Sequence, residues 1–242
     1  MVSDAQGMAA RAPLIRHFER NTRGRDIAVG DIHGCFTALQ KVLDTVGFDS
    51  AVDRLFSVGD LIDRGPECLA VSDWLLRSWF HAVRGNHEDA AIRYAQGVPM
   101  DRSIYSRNGG DWFMALSRRQ QRAIGAELDA LPYAIEVETE EGLLGLVHAD
   151  SPVADWGSLG ESLASRCAVR ERCLWDRSRI TNGDTRGVTG VRAVVVGHTP
   201  LQELTVLGNV YHIDTMGWRD YGRYTLLDLA SLKLLQPGVA GQ

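Results

Sequence analysis

The chain has 242 residues, of which 45% are hydrophobic, and a formal net charge of -5. This length favours one α/β domain with a sizeable core over two well-formed domains. The acidic balance argues against nucleic acid or an anionic membrane as the main partner, and no stretch is long and apolar enough to predict a membrane-spanning helix.

The sequence indicates neither a signal peptide nor a disulfide framework. Charged residues occur throughout the first 25 positions, which contain no apolar segment typical of a signal peptide. The four cysteines form no CxxC pair, and such usage is typical of a reducing compartment. We therefore expect a cytoplasmic protein.

A regular alternation of strands and helices begins at Asp26, after residues 1–25, which we predict to be an N-terminal arm with at most one short helix. Apolar and β-branched runs predict strands over 27–29, 55–58 and 80–83. Helices are predicted over 36–46, from Pro66 onward and over 88–95. These units recur about every 27 residues, close to the length that a βαβ crossover requires.

The second half of the chain is less regular. Residues 97–131 are predicted to be mainly helical, and hairpins are expected within 134–147 and 204–213. Further strands are predicted over 191–196 and 224–229, whereas 151–190 carry the weakest pattern. No linker is visible, so we expect one catalytic domain over 26–235 and a frayed tail over 236–242.

Three short strings place polar residues beside glycine at the ends of successive predicted strands. They are GDIHG at 30–34, GDLIDRG at 59–65 and RGNHE at 84–88. Open α/β sheets bind their substrates along this edge. The strings offer four ligands for more than one metal ion: Asp31, His33, Asp60 and Asn86.

Four of the seven histidines follow strand-like apolar runs: His33, His87, His148 and His198. A single such histidine is more simply a buried, hydrogen-bonded side chain, and Asp31 alone could cap a helix. The whole set favours a metal site, because burying so many polar groups without ligands is costly. Mixed Asp, Asn and His donors suit Mn²⁺, Fe or Zn.

Two such ions about 3.5–4 Å apart can bind both oxygens of a phosphoryl group and hold a bridging hydroxide for in-line attack. The leaving alkoxide then needs a proton, and His87 is the best placed donor, with Asp63 as its carboxylate partner. Arginines can hold the remaining phosphate oxygens. The candidates are Arg64, Arg84 and Arg177.

These strings resemble, in order, the motifs of calcineurin-like metallophosphoesterases. The resemblance is to the phosphoprotein phosphatase branch and its compact phage and bacterial members, and extends from about residue 26 to 229. It includes NGGDWF at 108–113, His148, the GHT string at 197–199 and Ile213-Asp214-Thr215. The family usually continues the last string with Gly-Ala, whereas this chain has Met216-Gly217-Trp218. We expect this loop to lie near the site.

The resemblance implies a four-layer α/β/β/α sandwich with two central mixed sheets. One metal would be held by Asp31, His33 and Asp60. The other would be held by Asp60, Asn86, His148 and His198. Mn²⁺ commonly supports activity in this family, which also implies His87 with Asp63 as the acid pair and Arg64 and Arg177 as phosphate ligands.

The function expected from these features is protein serine/threonine phosphatase activity on a phosphorylated protein or peptide. The main alternative is a small-molecule phosphohydrolase of the same fold, such as a diadenosine tetraphosphate hydrolase. Asp63 and Glu88 favour the protein phosphatase, because the symmetrical diadenosine hydrolases resemble GDLVARG and GNHD at these places. A binding protein without activity and a nuclease are further alternatives. The oligomeric state is not predicted.

Overall fold

The computed structural model describes residues 13–235. The predicted tail over 236–242 and the first twelve residues of the predicted arm lie outside the described residues. Eleven strands occur in the described part of the chain. They are β1 (Ile15–Phe18), β2 (Asp26–Val29), β3 (Arg54–Ser57), β4 (Phe80–Ala82), β5 (Ala134–Thr139), β6 (Gly142–Val147), β7 (Ala193–Val196), β8 (Thr205–Leu207), β9 (Val210–His212), β10 (Leu226–Asp228) and β11 (Lys233–Leu234).

Nine α-helices accompany the strands within the same described range. They are α1 (Phe36–Thr45), α2 (Val71–Leu75), α3 (Asn86–Ala95), α4 (Arg102–Arg107), α5 (Asp111–Met114), α6 (Arg118–Asp129), α7 (Leu159–Ser165), α8 (Cys167–Trp175) and α9 (Ser178–Asn182). Short 3₁₀ turns at Cys68–Ala70 and Trp156–Ser158 precede α2 and α7.

The strands form two mixed sheets. The first has the order β1-β5-β6-β7-β9-β8, and the second has the order β11-β10-β2-β3-β4. In the second sheet β2, β3 and β4 are parallel, and β10 runs antiparallel to β2. In the first sheet β6, β7 and β9 are parallel. The predicted α/β class with two central mixed sheets is confirmed.

Both faces of the central strands are buried, which explains their continuous apolar runs. In β2, Ile27 and Val29 pack outward on a core that includes Leu39 of α1, while Ala28 faces the space between the sheets. In β7, Val194 faces a third core on the side of α7 and α8. The three cores separate four layers, from helix to sheet to sheet to helix.

The structure differs from the sequence-based expectation in three segments. Ile15–Phe18, within the predicted arm, is a strand that pairs in parallel with β5. Its side chains are intermediate or exposed, so this edge strand lacks the apolar run that marks the others. The weakly patterned segment 151–190 contains three helices. The helix expected after Pro66 is a 3₁₀ turn followed by a five-residue helix.

Candidate metal centre

The candidate ligands converge from loops that leave strands of both sheets. Asp31 and His33 follow β2, Asp60 follows β3, and Asn86 follows β4, all in the second sheet. From the first sheet, His148 follows β6 and His198 follows β7. All six are buried. The structure therefore brings together at one edge residues that are up to 167 positions apart.

Asp60 stands between two groups of potential metal ligands. His33, Asp60 and His87 form one group and Asp60, His148 and His198 the other; in each, the ligand atoms lie within 4.8 Å of one another. Oδ1 of Asp60 is 3.3 Å from His148 Nε2, whereas Oδ2 is 3.7 Å from His33 Nε2. One carboxylate thus presents one oxygen to each group, as a bridging ligand of two ions must.

Several hydrogen-bond acceptors face one another around His148, and a positive charge between them would remove their repulsion. Because Nδ1 of His148 donates to the Val58 carbonyl at 2.7 Å, its Nε2 faces the centre as an acceptor. Asn86 Oδ1 lies 2.9 Å from this Nε2, and His198 Nδ1 lies 3.2 Å from it. Crowded acceptors repel unless a cation or a proton sits among them. The donor set therefore fits a divalent ion.

His33 is oriented in the same way, while Asp31 packs against a neighbouring loop. Nδ1 of His33 donates to the Ile62 carbonyl at 2.9 Å, which leaves Nε2 directed at the centre. Oδ2 of Asp31 is 4.0 Å from this Nε2. Both oxygens of Asp31 also accept from the backbone N–H of His198, at 3.1 and 3.2 Å. A side chain at Gly197 would collide with Asp31, since a Cβ there would lie 2.2 Å from Oδ1.

Backbone strain is concentrated at the centre. Five of its residues have positive φ although none is glycine: His33 (46°), Asp60 (49°), Asp63 (69°), Arg64 (69°) and His198 (65°). Such conformations persist only where surrounding contacts hold them. The loops are therefore pre-shaped to aim these side chains.

Glu88 supplies part of that support. Its carboxylate accepts hydrogen bonds from the backbone N–H groups of Asp60 at 2.9 Å, Leu61 at 2.8 Å, Ile62 at 3.3 Å and Gly85 at 2.8 Å. Burial and the charge of Asp60 raise the pKa of Glu88 to about 7. Glu88 is fully buried, so any bearing it has on substrate choice is indirect.

His87 is held by the carboxylate that the sequence predicts as its partner. Its Nδ1 donates to Oδ2 of Asp63 at 2.7 Å, and its Nε2 faces the centre, 3.8 Å from Asp60 Oδ2. Burial lowers the pKa of His87, but the charges of Asp60 and Asp63 outweigh this effect and raise it above 6.5. Asp63 is also fully buried, and its Oδ1 accepts from Trp112 Nε1 at 2.7 Å.

Trp112 follows no strand-like apolar run, so the pattern that predicts the candidate ligands does not identify it. The NGGDWF string that contains it was part of the family resemblance, and this string was the only available sign of a role.

Two of the three candidate arginines lie at the centre. Arg64 donates from Nη1 to His33 Nε2 at 2.7 Å, and its Nη2 lies 3.2 Å from His87 Nε2. Arg177, at the start of α9, lies beside the loop that carries His198, with Nη1 3.4 Å from Thr199 Oγ1.

Arg84 is not brought to the centre. Its Nη2 donates to Oδ1 of Asp129 at 2.7 Å, and its Nη1 donates to the Tyr133 hydroxyl at 3.3 Å. The guanidinium thereby links the end of β4 to α6 and lines a cavity of about 700 Å³ that none of the candidate ligands lines. The expected role of Arg84 in binding phosphate is not supported, because an internal carboxylate already occupies its head group.

Burial and neighbouring charges shift the pKa values of the candidate ligands. Burial and the neighbouring Asp214 and Asp60 carboxylates raise the pKa of Asp31 well above its usual range. Burial would also raise the pKa of Asp60, but the His148 and His87 imidazoles hold it well below its usual range. Burial and His148 lower the pKa of His198 to about 2, which keeps its imidazole neutral and available as a ligand.

The loop that departs from the family pattern does lie at the centre, as expected. The Trp218 ring meets the His33 ring edge-to-face with 4.8 Å between centroids. The Arg64 guanidinium lies 4.7 Å from the centroid of the Trp218 ring.

Comparison with known proteins identifies relatives over most of the chain. The calcineurin-like phosphoesterase family model matches residues 27–202. Serine/threonine-protein phosphatase 1 of Salmonella typhimurium is 37% identical over 190 residues, covering 77% of this chain and 84% of that protein. Serine/threonine-protein phosphatase 2 of Escherichia coli is 35% identical over 193 residues, covering 77% and 85%.

Symmetrical bis(5'-nucleosyl)-tetraphosphatases match more locally or at lower identity. The enzyme of Cellvibrio japonicus is 49% identical over 63 residues, which cover 25% of this chain and 23% of that protein. A solved structure assigned provisionally as a diadenosine tetraphosphatase superposes with a TM-score of 0.64 at 22% identity, covering 95% of this chain and all of that chain. This likeness shows the fold. Within residues 13–235, no helix has the length and hydropathy needed to cross a membrane.

Proposed function

Because the chain belongs to the calcineurin-like phosphoesterase family, we propose that it is a metal-dependent protein serine/threonine phosphatase. The main support is its similarity to two bacterial serine/threonine-protein phosphatases over more than four-fifths of their lengths. The substrate would be a phosphorylated protein or peptide. A second support is that the two groups of potential ligands that share Asp60 could hold the metal ions that such a reaction needs.

We propose that the first metal is held by Asp31, His33 and Asp60. The second would be held by Asp60, Asn86, His148 and His198. When bound, two divalent ions polarise the phosphoryl oxygens and generate a nucleophile at neutral pH. Mn²⁺ is the proposed ion, since mixed oxygen and imidazole donors suit it. The cytoplasmic location stays a prediction.

The remaining residues of the centre bind and protonate the substrate in this proposal. His87 presents Nε2 to the centre and carries the proton that the leaving seryl or threonyl oxygen takes up. Asp63 accepts the Nδ1–H of His87 and stabilises its charged form. Arg64 and Arg177 donate to the phosphate oxygens that the metals leave free.

A diadenosine tetraphosphate hydrolase is the second candidate, because a tetraphosphatase is 49% identical over a 63-residue stretch. One preparation, titrated with Mn²⁺, separates the two. Turnover is measured on a phosphoserine peptide, p-nitrophenyl phosphate and diadenosine tetraphosphate, with Asp60→Asn as the blank. The proposal predicts that the phosphopeptide has the highest kcat/KM. A higher kcat/KM on diadenosine tetraphosphate would favour the second candidate, and no turnover of any substrate would exclude both.

A further inference from the structure

Arg64 has no carboxylate partner among residues 13–235. Its guanidinium contacts Nε2 of His33, Nε2 of His87 and the ring of Trp218. Both imidazole nitrogens belong to the machinery of the proposed function, one as a metal ligand and one as a proton donor. A ligand atom that binds a metal cannot also accept from arginine. In the metal-loaded enzyme the Trp218 indole is therefore the neighbour of Arg64 that neither binds a metal nor carries the catalytic proton. The ring also contacts the Arg219 guanidinium, which lies 4.4 Å from its centroid.

The backbone of Arg64 is already confined. Its φ is 69°, and a Cβ at Gly109 would lie 2.4 Å from its amide nitrogen, so the Gly109 backbone packs directly against it. The Arg64 side chain therefore starts from a fixed Cα position, and only the side chain itself can move. Arginine loses considerable rotamer entropy when its head is held in one place. An aromatic ring that already holds the guanidinium before phosphate binds lowers this entropic cost of binding.

Trp218 is itself fixed by a tightly closed loop. Thr215 Oγ1 donates to the Arg223 carbonyl at 2.6 Å, and the Arg223 N–H donates to the Thr215 carbonyl at 3.2 Å. Between them, a Cβ at Gly222 would lie only 1.7 Å from the Met216 carbonyl oxygen. The loop therefore closes backbone against backbone, and it holds the indole beside the His33 ring.

We infer that Trp218 is a positioning residue that holds the Arg64 guanidinium by a cation–π contact in the orientation that binds the substrate phosphate. This inference rests on the proposed function, in which Arg64 binds phosphate. It assigns a role to a residue of the loop that departs from the family pattern after Ile213-Asp214-Thr215. The contact acts on binding of the phosphoryl group rather than on proton transfer.

The test measures binding of inorganic phosphate to the Mn²⁺-loaded full chain by titration calorimetry. Trp218→Leu keeps much of the bulk but removes the aromatic face, and Trp218→Phe keeps a face. We expect about 10-fold weaker phosphate binding for Trp218→Leu and less than about 2-fold for Trp218→Phe. On a phosphopeptide, Trp218→Leu should raise KM by a similar factor with little change in kcat.

A double-mutant cycle with Arg64→Ala identifies the partner through which Trp218 acts. In the Arg64→Ala background, Trp218→Leu should weaken phosphate binding no further. Three results would overturn the inference. The first is that Trp218→Leu weakens phosphate binding in the Arg64→Ala background as much as it does alone. The second is that Trp218→Phe and Trp218→Leu weaken phosphate binding equally, and the third is that Trp218→Leu loses bound manganese. Any of these results leaves the proposed function intact. If the unsubstituted protein binds no phosphate and turns over no substrate, the proposed function fails first.

Discussion

The indole Nε1 of Trp112 donates a 2.7 Å hydrogen bond to Oδ1 of Asp63, whose other oxygen accepts from His87. The carboxylate is thereby fixed from both sides. Trp112 is not one of the candidate metal ligands, but its hydrogen bond fixes the orientation of the Asp63 carboxylate relative to the His87 imidazole.

Trp112→Phe removes this hydrogen bond while retaining an aromatic ring next to Phe113. We expect kcat on a phosphoserine peptide to fall about 10-fold, the order expected for loss of one hydrogen bond to a charged group. On p-nitrophenyl phosphate the fall should be smaller, because its leaving group needs little protonation. Equal losses on both substrates would show that Trp112 does not act through the acid pair.

His87→Asn should keep the metal content and lower kcat on alkyl phosphates by about 10²–10⁴-fold. Asparagine is polar like histidine, but it cannot carry the proton that Nε2 would deliver. Metal content by plasma mass spectrometry and turnover on alkyl and aryl phosphates give the two readouts. Normal turnover on the alkyl ester would refute the role of His87 as the acid.

Asp60→Asn should lose bound metal together with activity, because the amide offers only one oxygen where two are needed. Asparagine tolerates the positive φ of this position better than most residues, so the fold should persist. Asp44→Asn is the matched control: Asp44 is exposed near the end of α1 and accepts from Gln40 Nε2 at 2.9 Å, a hydrogen bond that asparagine can also accept. Retention of two metals per chain in Asp60→Asn would exclude a bridging role.

Glu88→Gln should destabilise the fold, since one amide oxygen cannot serve the four backbone N–H groups that the carboxylate serves. We expect the free energy of unfolding in urea to fall by about 2 kcal/mol, with weaker metal binding as a consequence. Glu127→Gln, an exposed change at the Ser72 hydroxyl, should change stability by less than about 0.5 kcal/mol. If both variants are equally stable, the support assigned to Glu88 is wrong.

His212 should make the metal-free protein sensitive to acid. It is buried, and neither ring nitrogen has a hydrogen-bond partner. Burial, together with the charge of Arg179, lowers its pKa to about 4. Between the unfolded pKa of 6.5 and the folded value of about 4, the unfolded chain binds more protons, so stability falls as the pH falls.

Between pH 7.5 and 5 this histidine alone should remove about 2 kcal/mol from the free energy of unfolding. Urea unfolding in the presence of chelator at both pH values, for the unsubstituted protein and for His212→Leu, measures the difference. The variant should lose less stability on acidification. An identical pH dependence for the two proteins would contradict the assignment.

The candidate ligands could be predicted from sequence because each follows a buried apolar run, and parallel strands bring the ends of such runs to one edge. The sequence could not predict the roles of Trp112, Trp218 or the backbone contacts of Glu88, because each role depends on a contact between distant loops. β1 escaped prediction because an exposed edge strand lacks the pattern of a buried one. The position of Arg84 could not be predicted either, because its proximity to Asn86 in sequence says nothing about the direction of its side chain.

The ligand loops have a mechanical consequence. Asp31, Asp60 and Asn86 extend from one sheet and His148 and His198 from the other, so an ion held among them would act as a cross-link between the two halves of the sandwich. A ligand that binds only the folded state stabilises it in proportion to the logarithm of its concentration. The supply of the cation would then govern how long the folded chain survives heat or proteolysis, as well as how fast it turns over.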